Sequence, residues 1–500
     1  MPTQLTHTPP PLARWIVAVA FFMQMLDATI LNTALPSIAA DLQEPVLNMQ
    51  MAVIAYMLTT ALLIPASGWL ADRYGSRLVF IVAIFLFTLG SLFCALSPSL
   101  KLLVFSRVIQ GIGGALMVPV GRLTVIRIYP KHLMVQVLSF ITIPGLIGPL
   151  LGPMVGGFLA QYLSWHWIFL INVPIGVLGM ILAYTNLPNL TEDHIQHFDA
   201  WGFILFSSGM VLLTLGMEGI GGIYLSAVQA LLLCGTGVLL FILYWFHAAR
   251  VPFPLFDMRI FSTKSFRIGI LGNVFARLSS GGIPFLMPLF LQLGLGFSPL
   301  HAGATMIPIA LAGMMGKGAI PHMINKLGFR TFLTVNTFLI GILIASFSTI
   351  TPERAYPLLL LHLAVFGFIN SMQFTAMNSV TLFDLDVHTM GNGNTLLSVT
   401  MQISATCGVA IAAAMLAVWS DFLGSPQTMT GIAMPIFFWT FLCMGSFAII
   451  SSAIFFRIPP TTGKISAISS GTSYGTSSVT SSGTDSSKNP DKDPAQSPNK

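Results

Sequence analysis

Long apolar runs constrain this chain more than any other feature. Fourteen of them follow one another, at roughly 15–35, 51–71, 78–97, 102–126, 135–160, 166–187, 201–217, 223–246, 266–293, 299–322, 329–350, 356–380, 393–419 and 433–456. A helix needs about 20 such residues to cross a hydrocarbon layer of ~30 Å. Barrel strands would be half as long and alternate in polarity, which these runs do not. Only 8% of the residues are charged and 55% are hydrophobic. A soluble domain carries roughly 25% charged residues. The expected fold is an all-α polytopic membrane protein. Its short connections make consecutive helices antiparallel neighbours.

The formal net charge is +6, but the bases sit in short loops and form no stripe, which argues against nucleic acid as a partner. With the N-terminus in the cytoplasm, Arg14, Arg73, Arg77, Arg127, Lys131, Arg250, Arg259, Lys264, Arg267, Lys326, Arg330, Arg457 and Lys464 fall on the cytoplasmic side. Lys101 and Arg354 fall on the other. This asymmetry orients the chain and calls for an even number of spans. Trp15, Trp165, Trp167 and Trp201 lie at helix ends, as interfacial belts require. Cys94, Cys234, Cys407 and Cys443 lie in apolar segments without paired or Cys/His spacing, which argues against disulfides and zinc. The first apolar run has no cleavage site, unlike a secretory signal. Residues 461–500 are rich in Ser, Thr, Gly and Pro and are expected to be a disordered tail.

Several motifs carry chemistry. LDATILNTALP, residues 26–36, places Asp27 inside the first span. Asp27 is about 12 residues past Trp15, roughly 18 Å along a helix and close to the midplane. Asn32 is five residues further, about 140° around the helix, and need not share that face. RVIQGIGGA, residues 107–115, sets Arg107 and Gln110 on one face of the fourth span. GWLADRYGSR, residues 68–77, ends the second span with Gly68, Asp72, Arg73, Gly75 and Arg77. PHMINKLGFR, residues 321–330, echoes it with Asn325 in place of the acid. Such echoes mark repeat-built transporters. GLIGPLLGPMVGG, residues 145–157, lines up Gly145, Gly148, Gly152 and Gly156 as a close-packing stripe, beside Gly157, Pro149 and Pro153. WHWIFLINVPIG, residues 165–176, adds the polar Asn172.

Occurring in this order, these motifs resemble the signatures of the major facilitator superfamily, and within it those of the fourteen-helix drug:proton antiporters. The resemblance is strong over residues 15–187 and holds in topology through 456. It implies two six-helix bundles, 15–187 and 266–456, that alternate access. A linker, 188–265, would carry two extra spans, with a cytoplasmic N-terminus at 1–14 and a tail at 457–500. It implies a conformational latch at Gly68, Asp72, Arg73, Gly75 and Arg77, weaker in the second half. It also implies proton coupling through Arg107, and export as the direction of transport from the glycine–proline helix. A bacterial inner membrane, cytoplasmic termini, no cofactor beyond the proton gradient, a small-molecule substrate and a monomer complete the expectation.

Asp27 is the only acid clearly central to a span, and Glu218 sits at a span end. The bases within spans are Arg107, Arg122, Arg277 and Lys317; Arg122 and Lys317 lie near ends, where they can snorkel. Asp27 either pairs permanently with Arg107 or Arg277, or exchanges a proton. The proton-coupling set is thus Asp27, Arg107 and Gln110. Asn394, Ser398, Gln402 and Thr406 recur every four residues, and Asn370 and Gln373 share a face of the preceding span. With Asn32, Asn172 and Arg277 they either line a cavity or tie helices together. GMMGKGA, residues 313–319, lacks the ending and the strand of a nucleotide loop. Without a nucleophile–base pair or a metal cluster, an enzyme is not expected. The expected function is proton-coupled export of small organic molecules, of the multidrug type. One acid among several bases also suits an anionic metabolite or a metal chelate. A passive facilitator and a non-transporting membrane sensor are the remaining readings.

Overall fold

The computed structural model describes residues 12–130, 133–191, 197–219, 226–351, 356–385, 387–423 and 433–458. In chain order the helices are α1 Ala13–Ile30, α2 Leu35–Asp41, α3 Gln50–Tyr74, α4 Ser76–Ala95, α5 Leu100–Ile128, α6 Met134–Tyr162, α7 His166–Leu170, α8 Asn172–Asn186 and α9 Ala200–Gly219. They continue with α10 Ala227–Ala248, α11 Lys264–Ser280, α12 Ile283–Leu289, α13 Pro299–Thr305, α14 Ile307–Ser346, α15 Tyr356–Leu382, α16 Val387–Phe422 and α17 Met434–Ser451. No strand occurs among the described residues. Residues 1–11, Lys131, Arg354, Lys464, the tail from 459 onward and the side chains of Glu218 and Lys317 lie outside the described residues.

Thirteen helical stretches among the described residues are long and apolar enough to cross a membrane. They coincide with thirteen of the expected fourteen runs. The difference falls at 299–322. That stretch is split between α13 and the start of α14, with a break at Met306. Pro308 in the first turn of α14 explains the break, since proline lacks the backbone donor that would continue α13, while Pro299 opens α13 itself.

Lipid is the solvent that this surface requires. On α10, Val228, Leu231 and Leu232 are each about two-thirds exposed, at 67%, 66% and 65%. Inside, α1 packs on α6, α5 on α3 and α4, and α4 on α8. Further along, α14 packs on α15 and α17, and α11 on α15 and α16. α9 and α10 pair with each other, while α6 meets α13 and α3 meets α16.

The glycine stripe of α6 faces α1. A Cβ at Gly148 would lie 2.8 Å from the Leu26 amide nitrogen, and Gly145, Gly152 and Gly156 press on Phe21, Thr29 and the Ile30 carbonyl. Small residues thus let two backbones touch, as in membrane helix pairs. This contact fixes the helix that carries Asp27.

Gly75 joins α3 to α4 at φ +92°, and Gly328, its counterpart in the echo, sits at φ +75°. Side-chained residues rarely adopt either conformation, so the two motifs share a turn as well as a pattern. A Cβ at Gly75 would also strike the Asn189 side chain. Gly75→Ala is expected to destabilise the protein by about 1–3 kcal/mol, read as a lowered thermal midpoint in detergent. An unchanged midpoint would contradict the strain argument.

Candidate functional site

Four helices bring their polar side chains to one buried point. Asp27 of α1 and Arg107 of α5 are each 1% exposed. Arg107 Nη1 donates to Asp27 Oδ2 at 2.7 Å and to Gln110 Oε1 at 2.6 Å. Its Nε donates to the Ala52 carbonyl at 3.2 Å. Gln110 Nε2 donates to Asp27 Oδ1 at 2.8 Å and to Ser91 Oγ of α4 at 2.8 Å. Asn172 of α8 donates to Asp27 Oδ1 at 3.1 Å and to Ser91 Oγ at 3.3 Å. The guanidinium also lies over the Tyr56 ring, 4.2 Å from its centroid.

The local sequence explains the convergence. Gly111 lets α5 approach α3, where a Cβ would lie 2.9 Å from Thr59 Cβ. Gly113 does the same toward α4, with Phe87 Cα 2.8 Å from the added atom. The R-x-x-Q face of α5 therefore points into the wedge between α1, α4 and α8. Burying two charges is costly, and their attraction offsets that cost only when the remaining hydrogen bonds are made. Here both Asp27 oxygens are engaged. A proton on Asp27 would neutralise it and leave Arg107 with Gln110, the Ala52 carbonyl and the Tyr56 face.

The structure pairs Asp27 with Arg107, not Arg277. Arg277 lies on α11 with its guanidinium 3.8 Å from the Phe374 ring centroid. Gln373 joins α14 to α15, accepting from Asn336 at 3.0 Å and donating to Thr337 at 2.5 Å. Gln402 reaches the Met57 carbonyl of α3 at 3.5 Å, Ser398 bonds the Asn394 carbonyl at 2.8 Å, and Asn394 is exposed. Asn32 is buried, but its Oδ1 has no hydrogen-bond partner among the described residues. Asn370 lies on α15, apart from the Asp27 cluster. Ser91 and Tyr56 were not singled out in the sequence. A serine after Gly90, in a span whose other hydroxyls are Thr88 and Ser97, was the only signal for Ser91.

Residues 17–409 match the sequence profile of the Major Facilitator Superfamily. The chain belongs to this superfamily. A relative from Pectobacterium atrosepticum, named "Putative multidrug resistance protein MdtD", is 45% identical over 91% of this chain and 97% of its own. Relatives of the same name from Salmonella paratyphi A, 45% identical, and from Escherichia coli O6:K15:H31, 44% identical, each cover 91% of this chain and 96% of their own. Among solved structures, a D-xylose–proton symporter superposes with a TM-score of 0.62 at 16% identity, covering 90% of this chain and 98% of its own. A bacterial homologue of the human lysosomal transporter Spinster gives 0.62 at 14% identity, covering 89% and 95%. These structures share the fold. The protein is a multi-pass membrane transporter of this superfamily rather than an enzyme.

Against the superfamily's loop signature, Asp72 at the end of α3 meets Arg127 in the last turn of α5 at 2.5 Å. Arg73 lies over Trp69, 5.2 Å from the ring centroid, and Arg77 donates to the Leu187 carbonyl at 3.4 Å. Arg127 was legible only as a loop charge. At Gly68 an added Cβ would meet nothing within 4 Å. Asn325 is exposed. Beside this loop, Asp199 ties the α9–α10 pair together. It accepts from His247 Nε2 at 2.7 Å, from the Gly202 amide at 2.8 Å and from the Leu255 amide at 3.1 Å.

Proposed function

We propose that this chain is a proton-coupled secondary transporter that exports small organic molecules by alternating access, in the manner of multidrug efflux. The observation that carries the reading is the sealed cluster of Asp27, Arg107, Gln110 and Asn172, since an acid held at mid-membrane by a releasable network is what proton exchange needs. Residues 15–187 and 266–456 act as the two moving bundles, and 188–265 links them through α9 and α10. With α13 and the first part of α14 counted as a crossing, fourteen spans place both termini in the cytoplasm of a bacterial inner membrane. The basic ends of α3 and α5 face the cytoplasm, and Asp72, Arg73, Gly75, Arg77 and Arg127 form the latch there. The protein works as a monomer, driven by the proton gradient.

The deciding experiment uses purified protein in liposomes under an imposed pH gradient, with tetraphenylphosphonium as the transported probe. Gradient-driven accumulation supports the reading. Downhill flux that ignores the gradient indicates a passive facilitator, and binding without flux a sensor. A second reading, an anionic metabolite or metal chelate as cargo, is favoured by Arg277, which meets no acid among the described residues.

The latch supplies a milder test. Arg127 and Asp72 are 17% and 34% exposed at their side chains, so the pair contributes only ~0.2–1 kcal/mol. Asp72→Asn is expected to leave the thermal midpoint nearly unchanged while slowing transport by up to about fivefold. Equal transport by both proteins would remove the latch from the mechanism.

A further inference from the structure

We infer that Arg277, Asn370 and Asn378 form a binding site for an organic anion bearing a carboxylate. The inference rests on the reading that the chain moves a small organic molecule, and it names that molecule's chemical class.

Arg277 is half-buried on α11, inside the membrane-length stretch Lys264–Gly294, and its surroundings differ from those of Arg107. Arg107 has a carboxylate, an amide and a carbonyl to donate to. The hydrogen bond found for the Arg277 side chain is a long one, from Nε to Asn273 Oδ1 at 3.4 Å. Its ion-pair distance contains no carboxylate among the described residues. An uncompensated charge at membrane depth is costly and marks a pathway or ligand contact.

The facing helix repeats the same deficiency. Asn370, Phe374 and Asn378 are spaced by four and share one face of α15. The guanidinium stacks on the middle member, Phe374, 3.8 Å from its centroid. On either side of it, Asn370 Oδ1 and Asn378 Oδ1 are shielded from solvent and have no hydrogen-bond partner among the described residues. Buried amides are ordinarily satisfied, so two orphans beside a charge without an acid point to an absent partner. The neighbouring Gln373, on another face of α15, is fully occupied by Asn336 and Thr337. On α15, then, the unpartnered amide oxygens fall on the side that meets Arg277.

One chemistry satisfies all three groups. A carboxylate accepts two parallel hydrogen bonds from a guanidinium, a geometry that an ammonium ligand cannot use. The oxygen and nitrogen of an asparagine amide are exchanged by a half-turn of the side chain. Asn370 and Asn378 can thus present N–H donors to the same anion, or accept from a ligand hydroxyl. The Phe374 ring gives an apolar wall for the rest of the molecule.

The test uses the purified full chain in detergent, with benzoate and phthalate as anionic probes and benzyltrimethylammonium as the matched cation. Millimolar benzoate or phthalate is expected to raise the thermal midpoint of the wild type, and the cation is not. Calorimetric affinity for the better carboxylate is expected to fall at least ~10-fold in Arg277→Gln and measurably in Asn378→Ala, with Arg277→Lys intermediate. Failure of both carboxylates to shift the wild type, or undiminished affinity in Arg277→Gln and Asn378→Ala, overturns the inference. Carboxylate binding through Arg277 without gradient-driven movement would instead sink the transport reading and leave this site standing. Gradient-driven movement of the cation with no carboxylate binding would do the reverse.

Discussion

Asp27→Asn is expected to abolish gradient-driven transport and to destabilise the protein by about 3–5 kcal/mol, the cost of leaving a buried charge without its partner. The geometry makes both effects follow from one atom pair. Asp27 Oδ2 holds Arg107 at 2.7 Å, and Oδ1 holds Gln110 and Asn172 at 2.8 and 3.1 Å. Asparagine removes the negative charge but not the Arg107 guanidinium, which is 2% exposed at its side chain. Stability and coupling can be separated by a second substitution. In Asp27→Asn/Arg107→Met no charge remains to be compensated, so the thermal midpoint is expected to recover toward the wild type. Transport is not expected to recover, because no group is left to exchange the proton. Wild-type protein should release protons when substrate is added, and neither variant should. Proton release by Asp27→Asn at the wild-type level would remove Asp27 from the coupling step. A double variant less stable than the single one would show that the pair is not the source of the loss.

The parts of this site that were legible in sequence are those written in local spacing. Asp27 stands out because a carboxylate within twenty apolar residues has no other explanation than a partner or water. Arg107 and Gln110 are three apart on one helix, and their shared face needs no tertiary knowledge. The partner of Asp27 was not legible, since Arg107 and Arg277 both lie within spans and sequence position does not say which helices touch. Ser91, Tyr56 and the Ala52 carbonyl were missed for the same reason. They enter only when α3, α4 and α5 close on one another over Gly111 and Gly113. Arg127 was hidden differently, as one base among many at the same membrane surface. In the second half the four-residue spacing of Asn394, Ser398 and Gln402 named no neighbour, and of the three it is Gln402 that reaches across to the Met57 carbonyl of α3. The helix break inside 299–322 was not legible, because the run's composition looks continuous and only Pro308 hints at the interruption at Met306.

Replacing the two glycines that face each other across α6 and α13 is expected to lock the transporter out of the described state. A Cβ at Gly157 would sit 2.9 Å from Leu300 Cα and against the Pro299 carbonyl. At Gly303 it would sit 3.0 Å from Met154 Cα and against the Pro153 carbonyl. The obstructing atoms are backbone on both sides, so no rotamer change relieves them and the two helices must part. The same seam carries a hydrogen bond from the Leu300 amide to Gln161 Oε1 at 3.1 Å, and nearby Gln292 reaches the Thr33 carbonyl at 2.8 Å. All four residues lie at the end of the helices opposite the Asp72 loop, so parting them opens that end. Overpacking of this kind costs about 1–3 kcal/mol, which shifts a two-state equilibrium by roughly 5- to 150-fold. Cysteines placed at Gln161 and Leu300 in a background lacking native cysteines report the seam directly. Their cross-linking is expected to be efficient with Gly157 and Gly303 intact and to collapse in Gly157→Ala/Gly303→Ala, with transport lost in parallel. Gly179→Ala is the control, because its Cβ would meet only Ile84, at 3.8 Å. Alanine there should leave both readouts as they were. If the double variant cross-links and transports like the control, the seam yields without consequence, and closure at this end is not a state the transporter must visit.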